Sequence, residues 1–203
     1  MRTLSILLFL VLFARAQTDT SFVEISQLNP HIRLDIRYAT PHNFLQQTVY
    51  PQARCFLRHD AAVAIDAVQK ELEKIGLGLK IFDGYRPLSV QKKMWQIMPN
   101  PRYVANPAKG SRHNRGMAVD LTLVDAKGNA LPMPTEFDSF SQKAHHNYFN
   151  LPVEVLRNRW ILRTVMEKHG FSSIRTEWWH YDFKGWEKYK VLDKSFKELM
   201  LNK

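Results

Sequence analysis

A single cysteine, Cys55, stands among 203 residues, so no disulfide can form within the chain and stability must come from packing or a bound metal. Set between Arg54 and Phe56-Leu57, it reads as a small core side chain. His59, four positions on, is a weak partner for a nucleophile. Beyond Phe13 no apolar run approaches the about 20 residues that a membrane-crossing helix needs. Repeats, low-complexity tracts and linkers are missing as well, which points to one domain. Acidic side chains are in deficit: 29 Lys and Arg against 19 Asp and Glu give a net charge of +10. The basic residues are dispersed and carry no nucleic-acid-binding motif, so nucleic acid is not the expected partner. The excess suits a soluble basic surface, with weak attraction to anionic wall polymers or membranes.

What is present begins with a leader. Arg2 supplies a short positive region, Leu4 to Phe13 is almost purely apolar, and Ala14-Arg-Ala16 is a small-x-small cleavage site. That order predicts a signal peptide over residues 1–16, cut after Ala16. The apolar run is too short to cross a hydrocarbon core of ~30 Å, and no cysteine at the cut offers a lipid attachment point. The expected mature protein, residues 17–203, is periplasmic or secreted, without stable membrane insertion, and long enough for one domain with a substantial core.

Ile32 to Tyr38 alternates apolar and polar residues, as a half-buried strand does. Ala61, Ile65, Val68, Leu72 and Ile75 form one helix face, with Asp60 placed to cap it and Gly76 to stop it. Leu79–Phe82 reads as a strand, Pro87 opens a helix to about Met98, and Pro99, Pro101 and Pro107 mark a loop. Met117 to Leu123 is a strand, followed by a hairpin turn at Ala126–Asn129 into Ala130–Met133. Residues 134–150 are irregular, and a loop that long is often functional. A third helix spans Pro152 to Lys168, closed by Gly170. Phe171–Arg175 and Glu177–Phe183 are strands before a polar tail. Strands and helices do not alternate strictly, which predicts an α+β domain, mainly antiparallel, with flanking helices.

Two short segments carry chemistry: His113 and Asp120 in Ser111-Arg-His-Asn-Arg-Gly-Met-Ala-Val-Asp120, and Glu177 and His180 in Glu177-Trp-Trp-His180. Two imidazoles and a carboxylate can hold a zinc ion on the sheet while leaving a position open, with a spare glutamate as base. An acid in a strand as apolar as Met117–Leu123 is costly unless it is paired or bound to metal. On an ideal strand Glu177 and His180 point to opposite faces, so both reaching one ion requires a bend or bulge between them.

These segments resemble the D-alanyl-D-alanine metallopeptidases related to lysostaphin and the hedgehog fold. Arg37-Tyr-Ala-Thr-x-x-Asn-Phe44, Asp83-Gly-Tyr-Arg-Pro87, Asp120-Leu-Thr-Leu123, Phe137-Asp138, His145-His146 and Glu177-Trp-Trp-His-Tyr181 are more closely similar to the D-alanyl-D-alanine dipeptidases of the vancomycin-resistance type. The resemblance runs from about residue 30 to 182. It implies one Zn2+ per chain on His113, Asp120 and His180, Glu177 as catalytic base, and Arg86 stabilising the transition state. Asp138 is the expected partner of the ammonium of a small dipeptide substrate, with Tyr38 and Ser111 near the substrate ends. An ion pair with Asp83 is the competing role for Arg86. His145 and His146 are expected to orient ligands or pack the loop. A D,D-carboxypeptidase acting on longer stem peptides and a non-catalytic zinc-stabilised module are the alternatives. The resistance-type enzymes act on a cytoplasmic pool, so an export signal favours turnover of wall-derived dipeptide instead.

Overall fold

Apolar strands at Leu77–Asp83 (β4) and Ala118–Asp125 (β5) form the centre of a five-stranded sheet. Its order is β2-β4-β5-β7-β6, with β2 at Arg33–Leu34, β6 at Phe171–Ile174 and β7 at Glu177–Phe183. Only the β2–β4 pair is parallel; β4–β5, β5–β7 and β6–β7 are antiparallel, so the α+β expectation holds. The computed structural model describes residues 21–201, and the expected leader at 1–16 lies outside them. No described helix is long and apolar enough to cross a membrane.

Alternation along β5 divides the sheet into two faces. Val119, Leu121 and Leu123, each 0% exposed, join the core with Leu79 and Ile81 of β4. Helix α2, His59–Glu73, packs its Ala61-Ile65-Val68-Leu72 stripe against β4. Helix α4, Val153–Lys168, covers β5, β6 and β7, and burying each large aliphatic side chain in this layer contributes about 1.5–3 kcal/mol. The opposite face of β5 carries Ala118, Asp120 and Thr122. The chemistry is therefore on the sheet face turned away from the aliphatic layer. Helix α3, Leu88–Ile97, starts right after Pro87 as predicted.

Several local expectations are corrected. Ile32–Tyr38 keeps its alternating burial, but only Arg33–Leu34 pairs as a strand; the chain then turns into a 3-10 helix at Arg37–Ala39, which buries Tyr38. Asp60 is not the cap of α2: the helix already begins at His59, and Asp60 sits in its first turn, favourable beside the positive helix end. Ala130–Met133 makes only one bridge, Val124↔Ala130, because Asp125 gathers the turn onto its side chain through the amides of Lys127 and Asn129. The tail is not merely polar. Helix α5 at Phe196–Leu201 returns Phe196 and Leu199 to the core. A two-stranded antiparallel sheet of β1, Phe22–Glu24, and β3, Phe56–Arg58, and the short helix α1, Ile25–Leu28, were not anticipated.

Candidate active site

Two irregularities in strand register build the site. Between β4 and β5 the pairing passes from Ile81↔Leu121 to Asp83↔Asp120, leaving Phe82 as an inserted residue. In a regular strand Asp83, two residues beyond Ile81, would share its face; the bulge turns it to the face of Asp120. Between β6 and β7 the pairing jumps from Ser173↔Tyr181 to Ile174↔Glu177. This is the bulge that the Glu177–His180 spacing demanded. It brings Glu177 to the cleft that His180 enters from its position opposite Asp120.

His113 arrives from a 3-10 turn, His113–Arg115, closed by Gly116 at φ 72°. The donor atoms of His113, Asp120 and His180 lie within 4.8 Å of one another, and all three residues are buried. His180 Nδ1 is 2.9 Å from Asp120 Oδ1 and 3.2 Å from His113 Nε2. The far nitrogen of each ring is engaged: His113 Nδ1 lies 2.8 Å from the Gly84 carbonyl oxygen, and His180 Nε2 lies 2.9 Å from Asp182 Oδ1. An N–H on each far nitrogen would satisfy both acceptors and leave a lone pair on each near nitrogen. Two lone pairs and a carboxylate facing one point make a donor set suited to a small divalent cation such as zinc. Gly84 is required where it stands, since a Cβ there would meet Cys55 Sγ at 2.6 Å and the Phe56 carbonyl oxygen at 3.0 Å.

Burial works against ionisation of Asp120, but the charge and hydrogen bond of His113, with those of His180, outweigh it and hold the carboxyl below the usual carboxylate range. Burial pushes Glu177 up, the neighbouring imidazoles and Arg86 pulling it back only in part and Asp120 adding to the rise. Asp138 is pushed well up by burial and by the negative charge of Asp120. Its backbone is left-handed, φ 60°, and its Oδ2 accepts the Tyr38 hydroxyl at 2.9 Å.

Arg86 is 7% exposed and does pair with Asp83, Nη2 to Oδ2 at 2.6 Å and Nε to the same oxygen at 3.2 Å. Its Nη1 donates to Gln91 Oε1 at 2.9 Å. One N–H on each terminal nitrogen thus remains without a protein acceptor among the described residues. The ion pair and a role at the cleft are therefore compatible. Asp83 is itself held by the Tyr50 hydroxyl at 2.7 Å and the Gly84 amide at 2.9 Å.

A cleft of about 190 Å³ is lined by all eight residues expected to bind metal, catalyse or hold substrate: Tyr38, Arg86, Ser111, His113, Asp120, Asp138, Glu177 and His180. Ser111 is partly committed to its own turn, its hydroxyl accepting the Asn114 amide at 3.3 Å. His146 is buried and does not line the cleft; its amide donates to the Arg175 carbonyl at 2.9 Å. Sequence reading missed Asp182, Gln91 and the Gly84 carbonyl. Asp182 had a signal, since residues two apart on a strand share a face. The others had none. Cys55 is 1% exposed and burial pushes its thiol well up, which leaves it a core side chain.

The peptidase M15 family model, described as D-ala-D-ala dipeptidase, matches residues 18–200. The D-alanyl-D-alanine dipeptidase of Escherichia coli (strain K12) is 36% identical over 177 residues, 87% of this chain and 92% of that protein. The enzyme of the same name from Enterococcus faecalis (strain ATCC 700802 / V583) is 29% identical over 205 residues, 91% of this chain and 98% of that one. Among solved structures, VanYB in complex with D-alanine-D-alanine is similar at a TM-score of 0.44 and 16% identity, over 66% of this chain and 75% of that chain.

Proposed function

The chain belongs to the D-Ala-D-Ala dipeptidase family, and from that membership we propose how its own residues divide the hydrolysis of D-alanyl-D-alanine. His113 Nε2, His180 Nδ1 and the Asp120 carboxylate would hold one zinc ion per chain. When bound, zinc supplies Lewis-acid polarisation of the carbonyl and lowers the pKa of water towards ~7. Glu177 takes the proton of the attacking water and returns it to the leaving amine; its upward shift by burial brings it nearer the working pH. Arg86 turns its two uncommitted N–H groups to the oxygen on which negative charge develops, held there by Asp83 and Gln91. Asp138 takes the substrate ammonium. Burial and the charge of Asp120 oppose its ionisation more than Arg86 favours it, and the ammonium adds a counter-charge. Tyr38 fixes one Asp138 oxygen from behind, and Ser111 offers a hydrogen bond at the cleft wall.

The observation that carries this reading is the convergence of two imidazole nitrogens and a carboxylate on a cleft that also holds Glu177 and Arg86. The test is to quantify metal in the purified protein and to assay D-Ala-D-Ala, the L,D and L,L dipeptides, and a D-Ala-D-Ala-terminated pentapeptide side by side. Zinc near one per chain with preferential cleavage of the D,D dipeptide is expected. Preference for the pentapeptide would move the assignment to a carboxypeptidase, and inert zinc-loaded protein would make it a binding module. Residues 1–16 have the order of an export signal, so we place the activity outside the cytoplasm, on dipeptide released from wall material. A tagged protein that stays cytosolic with those residues uncleaved would overturn that location.

A further inference from the structure

We propose that Asp182 is a positioning residue that commits His180 to bind metal through Nδ1; this rests on the zinc reading of the site. His180 lies between two carboxylates: its Nδ1 is 2.9 Å from Asp120 Oδ1 and its Nε2 is 2.9 Å from Asp182 Oδ1. A neutral imidazole has one N–H to give. If it goes to Asp120, the ligand nitrogen is blocked. If it goes to Asp182, the Nδ1 lone pair is open towards His113 Nε2 and Asp120. The choice of carboxylate thus decides whether the donor set is complete.

Asp182 is built for that role. It follows His180 by two residues on β7 and so shares its face, and its register partner is Ala118, whose small side chain leaves room for the contact. Its second oxygen is engaged from outside by Arg112, Nε to Oδ2 at 3.5 Å, and that guanidinium lies over the Trp186 ring at 4.7 Å. The contact with His180 is the shorter of the two and is buried, whereas the Arg112 side chain is 46% exposed. Asp182 is therefore steered by Arg112 but spends its better hydrogen bond on the ring. On the other imidazole the Gly84 carbonyl does the same work at His113 Nδ1. The two rings are oriented by different means, a fixed backbone oxygen and a charged side chain, and only the second can be altered by substitution.

The test measures zinc affinity by chelator competition in wild type, Asp182→Asn, Asp182→Ala and His180→Ala, with ring-nitrogen NMR of the zinc-loaded forms. Asp182→Ala is expected to bind zinc about 10–100-fold more weakly, with His180 no longer confined to Nδ1 ligation. Asp182→Asn, whose amide oxygen still accepts from Nε2–H, is expected to recover much of the affinity. Matched thermal unfolding of the Asn variant separates this from a loss of fold. Wild-type affinity and unchanged Nδ1 ligation in Asp182→Ala, with zinc lost in His180→Ala, would sink this inference alone. Zinc retained in His180→Ala would sink the metal assignment itself.

Discussion

Asp120 and His180 are register partners across β5 and β7, and their side chains meet at 2.9 Å, Oδ1 to Nδ1. A cross-strand pair of this kind is set by the hydrogen-bonded ladder and not by flexible loops, so half of the proposed metal site is as rigid as the centre of the sheet. Zinc that binds only the folded site stabilises the fold by mass action. Adding chelator to the loaded protein is expected to lower Tm. In Asp120→Asn the zinc-dependent part of Tm should shrink sharply, as thermal melts with and without metal will show. An equal zinc effect in both proteins would place the ion elsewhere.

Of the acids lining the cleft, Asp120, Asp138 and Glu177, only Glu177 is neither a proposed ligand nor the proposed ammonium anchor. Glu177→Gln keeps the shape and removes the base. Turnover should fall by at least about 10²–10⁴-fold, while metal content stays at the wild-type level; steady-state kinetics and metal analysis on one preparation check both.

Arg86→Lys keeps the charge but cannot reproduce two bonds to Asp83 and one to Gln91 at once. A fall in kcat on the order of 10²–10³ is expected from loss of an oriented donor, with KM changing less. The Asp83 carboxylate is 0% exposed, so a stability loss should accompany it in melting experiments.

Asp138→Asn should raise KM for D-Ala-D-Ala far more than it lowers kcat, and Tyr38→Phe should do the same more weakly by releasing Oδ2. An N-acetylated dipeptide lacks the ammonium, so the wild type should lose its advantage over Asp138→Asn on that substrate. A variant equally impaired on both would show that Asp138 does not read the amine.

His146 provides a pH dependence of stability away from the metal. Burial, aided by Arg163 and Arg159, lowers its pKa to about 4 from an ordinary value near 6.5. Its folded form is neutral where the unfolded chain takes up a proton, so this contribution is complete above pH ~6.5 and is lost as pH falls towards 4. Wild type should therefore lose more stability than His146→Asn between pH 6.5 and 4, which denaturant titrations at several pH values will measure.

The sequence made the chemistry legible where one residue type had one plausible use. His113, Asp120, Glu177 and His180 all line one cleft, as does Arg86, which only the resemblance singled out, and the bulge between Glu177 and His180 followed from strand parity alone. Helix α2 was legible because four core residues recur at helical spacing. Other parts were not. Phe82 reads as an ordinary strand residue, and only the pairing of Asp83 with Asp120 exposes it as an insertion. Phe22–Glu24 and Phe56–Arg58 are too short for a period to emerge and exist because they pair with each other. Phe196 and Leu199 lie in a lysine-rich tail whose polarity hid two core contacts. Tyr38 was placed near the substrate, but its bond to Asp138 spans the fold and leaves no local trace.

The Phe82 insertion also bears on any transplantation of this chemistry. Pairing β4 with β5 without the bulge, so that Phe82 stood opposite Asp120, would return Asp83 to the aliphatic side and take with it the anchor of Arg86 and the neighbour of His113. Copying the visible side chains onto a regular sheet would fail for the same reason. The portable unit is a rhythm of strand residues, one beat out of step, and the functional groups are only its audible notes.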